Sequence, residues 1–370
     1  MGPHPAVAEV RWAVRSGLDG LDPGDLVLAA CSGGADSLAL AAALAHEAPR
    51  QRLRAGGVTV DHGLQPGSAQ RARRVAAVLA GLGLDPVCSV PVEIGAGPGQ
   101  GGPEAAARDA RYRALDEVAG RTGARAILLG HSRDDQAETV LLGLARGSGA
   151  RSLCGMPARR GHYRRPLLGV GRATLRAACE VLGLPPWDDP HNADPAFARA
   201  RVRHQALPAL EAAFGPGVAL ALARTAGQLR ADAEALDELA ASQAPLMRDP
   251  DGAWLAGPLM AAPTAIRTRV LRMAAIEAGC PPGKLTARHV DGLDALVTRW
   301  HGQRWTTLPG GVRGMLRCGK LIFAVGGDVR HAREPGMDGP GNRPAGPETG
   351  EDGRKQRPGP DEAEVMVGRE

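Results

Sequence analysis

Aromatic residues make up only 3% of this 370-residue chain: three Phe, two Tyr and five Trp. Its core must therefore be filled by Leu, Val and Ala, which the 44% hydrophobic content supplies in quantity. The six cysteines (Cys31, Cys88, Cys154, Cys179, Cys280 and Cys318) are scattered, and no two form a C-x-x-C pair. That argues against a structural zinc site and against an iron–sulfur cluster with close-spaced ligands. A disulfide framework is not expected at this length. No run of about 18 apolar residues occurs, so no membrane span is expected. The opening MGPHPAVAEVRWAV lacks the apolar centre of a signal peptide, and a cytoplasmic protein is the expectation. A formal net charge of +5 suits a polyanionic partner without proving one.

What is present is a rhythm. Short apolar runs at Leu26–Ala30, Ala55–Val60, Pro86–Val90 and Ala126–Leu129 read as strands. Between and after them, Asp36–His46, Ser68–Leu82, Glu104–Thr122 and Asp134–Ala145 read as helices, with a Gly/Pro loop over Ile94–Pro103. The alternation predicts an α/β fold, a parallel sheet with helices on both faces. Ligands of such sheets sit beyond the carboxyl ends of the strands. After about residue 205 the character changes. Leu207–Leu239, Ala261–Ala278 and Ala287–Trp300 read as helices, and Arg304–Leu308, Gly311–Arg317 and Lys320–Val325 as a small sheet. The expected organisation is a catalytic domain over 1–205 and a smaller, mostly helical second domain over 206–328. Residues 329–370, rich in Gly, Pro, Glu and Arg, are expected to form a disordered tail, because they bury too little to offset ordering entropy.

The strongest local signal is the strand LVLAA running into Cys31 and the hexapeptide Ser32-Gly33-Gly34-Ala35-Asp36-Ser37. Two glycines let the backbone turn sharply and approach a ligand, and amides at the helix start face an anion. Ser32 and Ser37 add hydroxyl donors. Asp36 would repel a phosphate directly, so its expected task is to hold Mg²⁺ against one. No G-K-[ST] follows, which excludes a Walker A loop, and the spacing is not G-x-G-x-x-G. The plain alternative is a Ser/Gly turn opening an ordinary helix. Cys31 reads as a buried strand-end residue rather than a nucleophile.

A second group, Gly130-His-Ser-Arg-Asp-Asp-Gln-Ala-Glu-Thr139, also follows a strand and opens a helix. Helical spacing lets Glu138 share a face with Asp134 or Asp135, and oxygen ligands so placed suit Mg²⁺. Acids in a first turn also stabilise a helix by about 0.3–1 kcal/mol with no chemistry involved. His131 sits where it can touch a phosphate or move a proton. From Arg146 to Arg176 there are eight arginines and no acid, and Arg199, Arg201 and Arg203 follow. Such density points to phosphate contacts, or to a solvated surface enriched in arginine by codon bias. Arg108 and Arg111 share a helix face, and Glu104–Arg108 and Asp109–Arg113 have the spacing of simple ion pairs.

In order, SGGADS (32–37), VDHGLQPGS (60–68), EAAARDARYRAL (104–115), GHSRDDQAET (130–139), RGSG (146–149), RRPLL (164–168), WDDPHN (187–192) and RARVRHQALPAL (199–210) resemble the tRNA(Ile)-lysidine synthetase family of PP-loop ATPases. Beyond residue 210 the resemblance thins to helical content and LPGG at 308–311. The resemblance implies a PP-loop fold, ATP and Mg²⁺ as cofactors, free L-lysine and a CAU-anticodon tRNA(Ile) as partners, and lysine ligated to C2 of the wobble cytidine through an adenylated intermediate. It implies that Ser32, Gly33, Gly34, Ala35, Asp36 and Ser37 cradle ATP, with Arg108 and Arg111 contacting ATP or lysine. Asp36 and Asp134 would take the metal, and Asp36, His131, Asp135 and Glu138 the chemistry. Arg146, Arg151, Arg164, Arg165, Arg199, Arg201 and Arg203 would grip the tRNA. Two departures stand out: Gln65 where the family often has arginine, and Ala200 where many members have asparagine. The rival readings are a thiolating PP-loop enzyme, which would want paired cysteines, and a catalytically dead RNA-binding protein. The oligomeric state, homodimer included, stays open.

Overall fold

The computed structural model describes residues 2–61, 63, 67–92, 102–147, 149–189 and 194–325. Gln65, most of the Gly/Pro loop and the segment 329–370 lie outside the described residues. The chain opens with helix α1 (Pro5–Gly17), which Pro5 starts and whose first turn is capped by His4, its Nδ1 accepting from the Ala6 amide at 3.3 Å. There follow β1 (Leu26–Ala30), α2 (Ala35–Glu47), β2 (Arg54–Asp61), α3 (Ser68–Gly81), β3 (Val87–Pro91), α4 (Gly102–Thr122), β4 (Ala126–Leu129) and α5 (Arg133–Ala145). These elements match the expected alternation to within about two residues at each end. Next come α6 (Ala150–Leu153), a short hairpin β5 (Arg159–Arg160) and β6 (Tyr163–Arg164), and α7 (Arg172–Val181). The sequence reading left α1, the hairpin and α7 unassigned.

The strand order is β3-β2-β1-β4-β6-β5, parallel except for the β5/β6 hairpin. Leu26 and Leu28 of β1 point to one face, with Ile127 and Leu129 of β4 and Leu115 and Val118 of α4. Val27 and Ala29 point to the other, with Leu38 and Leu44 of α2, Val75 and Leu79 of α3, and Leu175 of α7. The period-two alternation of a strand buried on both sides thus divides β1 between two cores. The chain winds outward from β1 through β2 to β3, then returns to place β4 on β1's other side. The crevice where this order reverses, at the carboxyl ends of β1 and β4, is where an open α/β sheet binds ligands.

The remainder comprises α8 (Ala198–Arg201), a π turn (Val202–Ala206), α9 (Leu207–Phe214), α10 (Val218–Gln243), β7 (Trp254–Leu255), α11 (Ala256–Ala261), α12 (Thr264–Glu277), α13 (Ala287–Thr298), β8 (Thr306–Thr307), β9 (Val312–Arg317) and β10 (Lys320–Val325). The helix expected over Leu207–Leu239 is two helices, because Gly215 and Gly217 both adopt positive φ and break it. Leu259, Val270, Leu271, Leu293 and Leu321 centre a separate core between these helices and the antiparallel sheet β7-β10-β9-β8. Among the described residues no single helix is long and apolar enough to cross a membrane. Leu44 is fully buried and Leu144 is 53% exposed. Leu44→Ala should therefore cost about 2–5 kcal/mol in a guanidinium unfolding titration. Leu144→Ala should stay within about 0.5 kcal/mol of the parent.

Candidate active site

The Ser32–Ser37 turn carries the chain from β1 into α2. The Ser37 hydroxyl holds it together: Oγ accepts from the Ser32 amide at 3.2 Å and donates to the Gly34 carbonyl at 2.9 Å. Gly33 has φ +88°, and a side chain there would meet Val75 Cγ2 at 2.8 Å. No side chain caps the helix at Gly34, so the first amides of α2 remain open to an anion. Cys31 is buried beneath the turn, and burial pushes its thiol up. It is no thiolate at neutral pH, in line with the strand-end reading. Gly130, at the end of β4, presses on the same turn; a Cβ there would lie 3.0 Å from Ser37 Cα.

A cleft of about 610 Å³ opens over this junction, lined by Ser32, Gly34, Ala35, Asp36, Ser37, Arg111, His131 and Arg203 of the expected set. It is also lined by Arg71, Tyr112 and Trp187, which residue-type reasoning had not singled out, and by Arg172 and Arg176, which it had read as part of the basic segment. The Trp187 amide donates to the Gly33 carbonyl at 2.9 Å, and the Arg71 guanidinium stands 4.4 Å from the Trp187 ring centre. These contacts fold the segment after α7 over the turn. Arg108 and Arg111 both lie near the Tyr112 ring, at 5.6 and 5.8 Å, but of the two only Arg111 reaches the cleft.

Below the cleft floor is a network of acids and arginines. Asp135 Oδ2 accepts from the Ser132 amide at 2.8 Å and from its hydroxyl at 3.0 Å. Its Oδ1 accepts from Arg172 Nη2 at 3.0 Å and Arg203 Nη2 at 3.2 Å. Glu138, wholly buried, takes Arg203 Nε on Oε1 at 2.7 Å and Arg203 Nη2 on Oε2 at 3.2 Å, with Arg172 Nη2 3.3 Å from Oε1. Arg199 adds an ion contact, Nε to Glu138 Oε2 at 3.2 Å, without hydrogen-bond alignment. Asp134 Oδ2 accepts from the Arg172 amide at 2.8 Å, fixing the start of α7 to the start of α5. The π turn brings Arg199 and Arg203 to the same carboxylate, a local register shift of the kind often found at functional sites.

The network alters the expected division of labour. Every oxygen of Asp135 and Glu138 is engaged by arginine or Ser132, which makes them anchors for cations rather than open metal ligands. Arg199 and Arg203, expected on the tRNA surface, turn inward to them. Arg165 is buried on the Pro157 carbonyl (3.0 Å) and the Tyr112 hydroxyl (3.2 Å). Arg164 donates to the carbonyls of Gly17 and Asp19 at 2.8 and 2.9 Å. Of the seven arginines, Arg146, Arg151 and Arg201 are surface residues, Arg151 being paired with Asp237. Ala200 is buried in α8, where an asparagine would have to bury its amide.

Asp36 differs from the other acids. Its Oδ2 lies 3.7 Å from Arg172 Nε, and its Oδ1 is buried with no partner. Burial pushes its carboxyl up to about 6; Arg172 opposes the shift and Asp135 adds to it. A buried carboxylate oxygen with free lone pairs, beside a turn built to hold phosphate, fits a hard divalent cation. Among the described residues no three His, Cys, Asp or Glu side chains converge as a metal cluster, so such a cation would draw its other ligands from phosphate oxygens and water. His131 is held well below the usual imidazole range by burial, with Asp135 opposing, and its buried Nδ1 has no partner. It enters the cleft neutral.

The profile of the PP-loop domain matches residues 15–210, and that of the TilS substrate binding domain matches 256–319. A tRNA(Ile)-lysidine synthase of Thermobifida fusca is 59% identical over 88% of this chain and 99% of its own length. One of Streptomyces coelicolor is 55% identical over 88% and 100%, and one of Salinispora arenicola is 57% identical over 86% and 96%. The chain belongs to the tRNA(Ile)-lysidine synthase family. The solved U34-tRNA thiolase NcsA of Methanococcus maripaludis, with its [4Fe-4S] cluster, covers 60% of this chain and 79% of its own at a TM-score of 0.50 and 20% identity, a likeness of fold alone. Membership makes residues 15–210 a PP-loop domain that uses ATP, and the Ser32–Ser37 turn lies within it.

With Asp36 titrating at about 6, the affinity for a magnesium–nucleotide complex should fall about tenfold between pH 7 and pH 5, as the carboxylate is lost. Because its folded pKa lies above the unfolded one, Asp36 also makes the free protein less stable as pH rises through that window. Calorimetric titrations should show both trends flattened in Asp36→Asn. Glu138→Ala leaves Arg172, Arg199 and Arg203 short of a counter-ion and should cost about 3–5 kcal/mol in a denaturant melt.

Proposed function

We propose that the protein ligates free L-lysine to C2 of the wobble cytidine in a CAU-anticodon tRNA(Ile), consuming ATP and releasing AMP and pyrophosphate. The tRNA then reads AUA rather than AUG. The observation that carries this reading is one cleft with an open phosphate-binding turn and the unpartnered Asp36 oxygen at its floor, and neutral His131 and Arg111 on its walls. Relatives at 55–59% identity bear the synthase name, which disfavours thiolation.

The cytidine C2 oxygen attacks the α-phosphorus of ATP and pyrophosphate leaves. The lysine ε-amine, having lost a proton, attacks C2 and AMP leaves. Gly33, Gly34, Ala35 and the amides of α2 receive the phosphates, Ser32 supplies a hydroxyl, and Ser37 holds the turn in shape. Asp36, completed by phosphate and water, would hold Mg²⁺, which neutralises phosphate charge when bound; Asp134 instead fixes α7. Arg111, Arg172 and Arg203 present positive charge to the nucleotide, with Asp135 and Glu138 keeping the last two extended. His131, held neutral by burial and with Nδ1 unpartnered, is placed to share a hydrogen bond at the reacting end rather than to act as a base. Arg108 supports Tyr112 beside Arg111. We assign residues 1–205 to catalysis and 206–328 to holding the tRNA, with Arg146, Arg151 and Arg201 available to its backbone.

The test is incorporation of labelled lysine into an unmodified CAU-anticodon tRNA(Ile) transcript with ATP and Mg²⁺. Wild-type protein should incorporate label, and Asp36→Asn should lose at least about 100-fold in rate. Pyrophosphate release with no lysine label would refute the lysine step and leave the adenylating site standing. Silence in both assays would refute the reading as a whole.

A further inference from the structure

Between Ala295 and Val325 the chain has five cationic residues, Arg299, Arg304, Arg313, Arg317 and Lys320, and no acid. Two of the five tryptophans of the chain, Trp300 and Trp305, lie in the same stretch, 54% and 37% exposed. Large aromatic faces are seldom left to water without a partner. Among the described residues, Arg299, Arg304 and Arg313 have no carboxylate partner, and Arg299 and Arg304 are exposed.

The loop between α13 and β8 is built to keep these groups on display. Gln303 braces it: its Oε1 accepts from the His301 amide at 2.6 Å and its Nε2 donates to the Arg299 carbonyl at 3.2 Å. The Trp300 indole N–H donates to the Gln303 carbonyl at 3.3 Å, setting the ring against its own loop. Thr307 pairs with Arg313 across β8 and β9, and the Arg313 guanidinium stands 5.0 Å from the Trp305 ring centre. One indole thus carries a cation beside it, with Arg299, His301 and Arg304 exposed around it. The loop is shaped before any partner arrives, which lowers the entropy lost on binding.

We infer that Trp305, with Trp300, Arg304 and Arg313, is a stacking platform for an unpaired nucleotide of RNA, the arginines taking the flanking phosphates. Aromatic faces interleaved with unneutralised arginine suit single strands, whose bases are free to stack. A duplex hides its base faces and would use only the charge. An acidic protein would find the arginines but would not need exposed indoles. The inference deepens the proposed function only in naming the RNA as the tRNA; the platform itself stands apart from the cleft chemistry.

The test uses the full-length protein, a fluorescein-labelled heptamer of unpaired ribonucleotides, and a hairpin duplex of equal charge, followed by anisotropy. The heptamer should bind more tightly than the hairpin. Trp305→Ala should weaken heptamer binding about tenfold or more, and Trp305→Phe should restore most of it. Arg304→Ala with Arg313→Ala should lower the slope of log affinity against log salt by about 1.4, for two phosphate contacts to a single strand. With whole tRNA, Trp305→Ala should raise the KM and leave kcat in place. Should Trp305→Ala fail to fold, the arginine pair and Trp305→Phe carry the test. Unchanged heptamer binding in the folded variants, or a hairpin bound equally well, overturns the platform. Absence of lysine transfer by wild-type protein would sink the proposed function while leaving these binding results to stand.

Discussion

The site depends on the electrostatic balance around Arg172. Its guanidinium lies among Asp36, Asp135 and Glu138 while its own amide is held by Asp134. Burial works against its charge, and the three carboxylates outweigh that cost, holding its pKa above the ordinary arginine value. With Arg199 and Arg203 on Glu138, the network sets three arginines against three acids in a half-dry space. Each ion is tolerable there only because the others are present. The network joins α2, α5, α7 and the π turn after α8, so the shape of the cleft and the charge in it rest on one set of contacts.

That balance also explains the different availability of the acids. Asp135 and Glu138 are saturated by neighbours. Asp36 shares one arginine with two competitors and keeps an oxygen with no partner. The same carboxylate chemistry thus supplies a rigid anchor in one place and an open ligand in another, the difference being set by how many guanidinium hydrogens reach each group.

Much of the first half was legible in the chain. Apolar runs such as LVLAA and AILL, bounded by glycine and followed at once by a helical pattern, leave little freedom of interpretation. The SGGADS turn fell at a strand end as the fold rule demands. The interior roles of the arginines were not legible. Arg199, Arg203 and Arg172 read as a basic surface because their partners Asp135 and Glu138 lie 34 to 68 residues away and Asp36 farther still, and it is the packing of α5 against α8 and the π turn, and of α7 against α2, that brings them together. Helix α7 itself was hidden by its charge, although Leu175, Ala178 and Cys179 form a buried stripe along it. The break between α9 and α10 was written in Gly-Pro-Gly at 215–217 and overlooked amid alanine and leucine, which favour helix too strongly to show where one stops.

The register of β1 against β4 carries a consequence of its own. Val27 to Ala30 stand opposite Ala126 to Leu129, and immediately beyond them lie the Ser32–Ser37 turn and Gly130-His131, pressed so closely that a Cβ on Gly130 would crowd the Ser37 backbone at 3.0 Å. The two motifs that line the cleft, about a hundred residues apart in sequence, are therefore aligned by counting residues along two short strands. Evolution can exchange Val for Ile or Leu within them at small cost, but adding or removing one residue would move a whole motif by about 3.3 Å and turn its side chains to the wrong face. In these strands length is a stricter inheritance than composition.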